Sequence, residues 1–164
     1  MNPRLVILMR DYHHYHSKSW TVYSHFIGIP IVTFSVLIFF SWFQLALTNI
    51  IGINLAWLGI IILAIFYITL DRAIGIATAI GMILLGWLVS VLAPNGLTLK
   101  SFILFLITFI LGWAFQLVGH AIEGRKPALL DNFVASVFIA PLFIVAEVFF
   151  CLGLKKELQA VINT

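Results

Sequence analysis

Of the 164 residues, 63% are hydrophobic and 9% charged, whereas a soluble domain carries about 45–50% apolar and about 25% charged residues. A water-facing globular fold is therefore excluded, and the chain reads as an all-α integral membrane helical bundle in a single domain, 1–164. The net charge of +3 is small and its basic residues stand singly at block ends, which argues against nucleic acid and for contact with anionic membrane lipid.

The chain opens with "MNPRLVILMR". Its apolar core, Leu5 to Met9, is shorter than the roughly 7–15 residues of a signal-peptide core, so it reads as an N-terminal interfacial helix. It leads into "DYHHYHSKSWTVYSH", which completes a polar, His-rich segment over 1–25 and holds four of the five histidines. Apolar blocks follow at about 26–48, 50–70, 73–93, 101–118 and 133–154, each near the length that crosses a bilayer core as a helix. "PNGLTLK" marks a turn before the fourth. Pro141 interrupts the fifth, permitting a re-entrant or surface segment, so four and five crossings are both compatible with the pattern. Gly75/Ala79 and Gly86/Ser90 suit close helix contact in the third block. Trp20, Tyr23, Trp42, Trp57 and Trp113 suit an interfacial belt. Asp71-Arg72 suits a tight turn with a local ion pair. Cys151, the single cysteine, suits a buried inert thiol.

Orientation follows the basic residues. With five crossings the N-terminal side holds Arg4, Arg10, Lys18, Arg72, Arg125 and Lys126, against Lys100, Lys155 and Lys156 opposite. If the fifth block returns, Lys155 and Lys156 join the first group. Either way the N-terminal side is expected to be cytoplasmic, in a bacterial inner membrane or an endoplasmic-reticulum membrane.

The fifth histidine, His120, lies in a second polar island, "QLVGHAIEGRKPALLDN". Four crossings return the chain to its starting face, so both islands lie on one side and their imidazoles can meet. His120 and Glu123 share a helix face, with Gln116 one turn away. His16 and His25 fall on opposite faces of a continuous helix, roughly 13 Å apart along its axis. If both hold one ion, the helix must break between them, and Ser17-Lys18-Ser19 is a suitable break with Ser19 as N-cap. Histidine with carboxylate and no cysteine points away from structural zinc, and two histidines plus one carboxylate suit non-haem iron. Spacing alone also allows histidines that hydrogen-bond headgroups or backbone, or a proton relay. Glu147, inside the fifth block, suits either a transporter's intramembrane carboxylate or a snorkelling partner for Lys155 or Lys156.

The two islands together resemble a specific family. "YHHYHSKSWTVYSHFIGIP" is similar to the Tyr-x-x-x-His … His-x-x-Gly-x-Pro opening, and "QLVGHAIEGRKPALLDN" to the Gln-x-x-Gly-His-x-x-x-Glu-x-Arg-x-Pro-Ala-Leu block, of the 2-hydroxy fatty acid dioxygenase family of integral membrane proteins. The resemblance implies an iron(II)-dependent dioxygenase that shortens 2-hydroxy fatty acids by one carbon, with dioxygen as co-substrate. It marks His16, His25 and His120 as metal ligands and Glu123 as a further ligand or neighbour. Tyr12, Gln116, Arg125, Pro127 and Asn132 also fall on motif positions, and Tyr12, Gln116, Arg125 and Asn132 become candidates for substrate contact. Where the family usually shows Asn-Pro and then Asn, this chain has Lys18-Ser19 and Thr21, which bears on the substrate mouth. His13 and His14 fall outside the pattern. Two other function classes fit the composition: a proton-coupled carrier using Glu147 and Asp71, and a non-catalytic membrane scaffold.

Overall fold

The computed structural model describes residues 2–14, 19–46, 52–94, 96–124 and 133–162, with the side chains of 14, 19, 123 and 133–137 outside the description. The described elements are α1 (Pro3–His14), α2 (Ser19–Ser41), β1 (Gln44–Ala46), β2 (Gly52–Asn54), α3 (Leu55–Leu70), α4 (Arg72–Leu92), α5 (Leu99–Glu123), α6 (Phe133–Cys151) and α7 (Lys156–Ile162). The result is the expected all-α membrane bundle. The helix break anticipated between the first histidines falls on 15–18, outside the described residues between α1 and α2.

The first apolar block departs from its predicted bounds. Its helix starts seven residues earlier than 26 and stops at Ser41, where Trp42 and Phe43 close tight turns onto the carbonyls of Phe39 and Phe40. The chain then leaves the helix, and Gln44–Ala46 pairs antiparallel with Gly52–Asn54. This small hairpin is locally satisfied. Leu55 N–H donates to the Phe43 carbonyl at 2.9 Å, and the Asn54 side chain caps α3 by accepting from Trp57 N–H.

α3 and α4 form a hairpin with Asp71 alone at its turn. The Asp71 carboxylate accepts from the N–H groups of Ala73 and Ile74, both at 3.0 Å, which satisfies two orphan donors of α4. Gly75 lets the α4 backbone pass against the Tyr67 carbonyl, and Gly86 receives Ile60 and Trp57, the close contact expected of those small residues. Trp57 Nε1 donates to the Ser90 hydroxyl at 3.3 Å.

α2 and α5 make the most extensive helix pair and run antiparallel. Phe39 and Trp42 of α2 meet Phe105 of α5 at one end, with ring centroids 5.9 and 5.4 Å apart. His25 meets His120 at the other. α2, α4 and α5 are each long and apolar enough to cross a membrane, and α3 is a shorter apolar helix of 16 residues. Large apolar side chains such as Ile62, Leu84 and Ile110 face outward along α3, α4 and α5, as lipid contact requires.

The fifth block is anchored to the α3–α4 turn at two points. The Tyr67 hydroxyl near the end of α3 donates to the Phe138 carbonyl of α6 at 2.6 Å. Lys155, just past α6, pairs with Asp71 at 2.6 Å. Tyr67 and Asp71 are one turn apart, so the chain is tied to that turn both within α6 and just past its end. α7 bends away from it by 118°, and its Val161 carbonyl accepts from Arg10 of α1 at 2.8 Å. Leu5, Met9, Tyr12, Leu142, Phe143 and Leu158 share one apolar cluster with the ends of α2, α3 and α4. α1, α6 and α7 thus form a cap over the histidine end of the bundle.

Several side-chain expectations need correction. Asp71 pairs with Lys155 rather than Arg72, because the return of the fifth block brings that lysine to the turn. The same pair takes Lys155 away from Glu147. Cys151 is exposed, not buried, because it is the last residue of α6, where the chain swings out. Trp113 lies ten residues before the end of α5, about 15 Å along the axis, because that helix runs on to Glu123 rather than stopping near 118. It packs against Phe109.

Candidate active site

Glycine builds the site. At Gly28 a Cβ would meet Gln116 Cγ at 2.8 Å and the Gly112 carbonyl at 2.9 Å; at Gly112 it would meet the Val32 side chain and, at 2.9 Å, its backbone nitrogen. At Gly119 it would overlap the Ser24 hydroxyl. Bare backbone at these points lets α2 and α5 approach to main-chain contact, the device of small-residue membrane helix pairs. His25 lies three residues before Gly28, and His120 directly follows Gly119. The seam that closes the helices therefore also delivers the two imidazoles.

Both rings are buried in the protein, His25 at 1% and His120 at 5% exposure. Their centroids are 4.9 Å apart and their planes 89° apart, edge to face. His25 Nδ1 lies 2.8 Å from the Thr21 carbonyl. A carbonyl only accepts, so Nδ1 donates and Nε2 is the nitrogen left to face a metal. The same carbonyl accepts from the Ser24 hydroxyl at 2.8 Å. The Thr21 hydroxyl crosses the seam to the Gly119 carbonyl at 3.2 Å. One residue thus orients His25 and ties its helix to the residue before His120.

The other expected ligands cannot be placed against this pair. His16, Arg125, Pro127 and Asn132 lie outside the described residues, as does the Glu123 side chain, although Glu123 is the last residue of α5. Gly124, left-handed at φ 74°, caps that helix. Among the described residues no three His, Cys, Asp or Glu side chains group closely enough to hold an ion. Gln116 packs its stem against Gly28, one turn from His120. Tyr12 is buried in the cap with its ring 4.5 Å from Phe143. Burial pushes its phenol well above the usual range, so it stays protonated. His13 is half-buried near the end of α1.

Asp71 behaves as a structural group. Burial pulls its pKa upward, but the hydrogen bond and charge of Lys155 and the N–H groups of Ile74 and Ala73 outweigh it and hold the carboxyl below its ordinary value.

Sequence reasoning placed Thr21 at the substrate mouth, not as the residue that orients His25, and it missed Gly28, Gly112 and Gly119 as site builders. A signal existed: Gly112 and Gly119 are seven apart, hence on one face of α5, and Gly28 and Gly119 sit inside the two histidine motifs.

Residues 5–152 match the family described as 2-hydroxy-palmitic acid dioxygenase Mpo1-like. The chain belongs to the Mpo1-like family. It is also similar to the 2-hydroxy-palmitic acid dioxygenase MPO1 of Saccharomyces cerevisiae, with 33% identity over 160 residues, 93% of this chain and 83% of the relative. No solved structure matches it. The Mpo1-like match spans both histidine motifs and the whole α2–α5 seam that joins them.

Proposed function

We propose that this protein is a membrane iron(II) dioxygenase that oxidatively decarboxylates 2-hydroxy fatty acids to acids one carbon shorter. The observation that carries the reading is the buried His25–His120 pair, drawn from opposite ends of the sequence to one point at the bundle's capped end. The yeast relative's name supplies the substrate class. The donor set fits iron: two buried imidazoles, one held by a carbonyl at Nδ1 so that Nε2 is the nitrogen left for a metal. His16, His25 and His120 would hold the ion, with Glu123 completing or orienting the set. The bound iron supplies dioxygen activation and a chelation point for the carboxylate and hydroxyl of the acid.

The protein's own contribution is positional. The Thr21 carbonyl fixes the His25 ring, and the glycine seam holds His120 against it. The cap of α1, α6 and α7 shields the apolar end of the bundle from water. Arg125 would steer the anionic head toward the histidines. Arg4, Arg10, Arg72, Lys155 and Lys156 gather at this end, and Lys100 opens α5 at the other. By the positive-inside rule the histidine face is then cytoplasmic. A carrier reading loses support, since Asp71 is spent on a helix cap and an ion pair.

The test is anaerobic iron loading of purified protein, followed by oxygen uptake with 2-hydroxypalmitate. Wild type should retain about one iron per chain, the stoichiometry of a single ligand cluster, and consume oxygen. His25→Ala and His120→Ala should lose both. Iron retention and turnover unchanged in both variants would refute the assignment.

A further inference from the structure

A groove of about 480 Å³ opens between α2, α4 and α6, lined by Ile29, Thr33, Thr78, Met82 and Ile144 among others. Pro30 and Pro141 stand on two of its walls. Its lining is apolar apart from two threonines, and the Thr78 hydroxyl is already committed to the Ile74 carbonyl at 2.8 Å. The groove's first lining residue on α2 lies one helical turn from the candidate active site. Ile29 is four residues beyond His25, so it shares that helix face about 6 Å further into the bundle. On the other side of α2 there is no room for a chain, because Gly28 and Gly112 bring α5 to backbone contact. A tail descending along α2 from the histidines must therefore take the α4–α6 side.

Length agrees with that path. The α4 residues of the lining run from Thr78 to Leu88, about 15 Å of helix. An extended chain advances about 3.3–3.6 Å for every three bonds, so the groove accommodates about twelve to thirteen carbons. Resting on the dioxygenase reading, we propose that this groove binds the acyl tail of the 2-hydroxy acid, with the head at His25 and His120, and so sets chain-length preference.

Gly81 provides the test. It lines the groove, and a Cβ there meets nothing within 4 Å, so a large side chain can enter without disturbing the fold. Gly81→Phe should lower kcat/KM for 2-hydroxypalmitate at least about tenfold, since each methylene kept from apolar contact costs severalfold in affinity. 2-Hydroxyoctanoate should change by less than about twofold on the same arithmetic. Gly59→Phe on α3, equally free of neighbours but outside the groove, should change neither.

A binding readout needs no turnover. Trp87 lines the groove, so 2-hydroxypalmitate brominated on its tail should quench it in metal-free protein, with Trp87→Phe as the spectral blank. Gly81→Phe should abolish that quench. An equal loss of activity at every chain length overturns the proposal. So does a quench produced by brominated phospholipid but not by the brominated acid, which would make the groove a lipid contact. If wild type oxidises no 2-hydroxy acid while the acid's quench is present and sensitive to Gly81→Phe, the groove assignment stands and the oxygenase reading falls.

Discussion

The Thr21 hydroxyl of α2 donates across the helix seam to the Gly119 carbonyl of α5, 3.2 Å away, while the Thr21 carbonyl accepts from His25. Thr21→Val keeps the shape and the main-chain carbonyl but removes the cross-helix bond. Stability in detergent should fall by about 1 kcal/mol, the net worth of one buried hydrogen bond. If the pair holds iron, affinity should fall roughly tenfold, as for other groups that orient a ligand. Thr21→Ser should restore both. Chelator competition measures the second effect, and a role limited to packing would leave it unmoved.

Gly28→Ala places a methyl group against the Gly112 carbonyl and Gln116. Backbone cannot step aside as a flexible side chain can, so α5 must shift. The cost should be about 1–3 kcal/mol, the range of overpacking substitutions, with loss of the His25–His120 contact. Gly59→Ala, with no neighbour within 4 Å, should be neutral or stabilising by up to about 1 kcal/mol from helix propensity. Thermal melts of the two variants in one detergent give the comparison.

Asp71→Ala should cost about 1 kcal/mol at neutral pH for the lost cap, and a fraction of that for the half-exposed pair with Lys155. The sign of its pH dependence follows from its lowered pKa. A carboxyl depressed in the folded state contributes fully above its unfolded value near about 3.9, and loses that contribution as pH falls through the folded value. The gap between wild type and variant should stay constant from neutral pH down to about 5 and narrow below about 4. A gap that widens on acidification would contradict the assignment of Asp71 as the anchored anion.

The anchoring of the fifth block at the α3–α4 turn predicts that it returns to the face it left. In a Cys151→Ser background, Glu157→Cys and Arg72→Cys should label from the same side of sealed vesicles with a membrane-impermeant maleimide, and Lys100→Cys from the other. Labelling of Glu157→Cys alongside Lys100→Cys would instead require α6 to cross.

The composition and the spacing of apolar blocks determined by themselves that this is a membrane bundle with an interfacial N-terminal helix. They also located the α3–α4 turn and the close contacts at Gly75 and Gly86. These are local properties, since hydropathy, helix period and turn chemistry act over a few residues. Parity put both histidine islands on one face and the family resemblance marked His16, His25 and His120; the structure brings His25 and His120 together.

Tertiary structure decided what no period can encode. The α6 segment is as apolar as a span, yet Tyr67 and Lys155 tie it, within the helix and just past its end, to one turn of chain. The β1–β2 hairpin replaces the last turn of the first block because pairing there satisfies its backbone groups. The seam that aligns the histidines depends on which glycines face each other across two helices some ninety residues apart in sequence, and the groove beside it exists only where α6 folds back over α2 and α4. A helix's pattern fixes its own faces, but the partner of each face is chosen by the shape and contacts of the rest of the bundle.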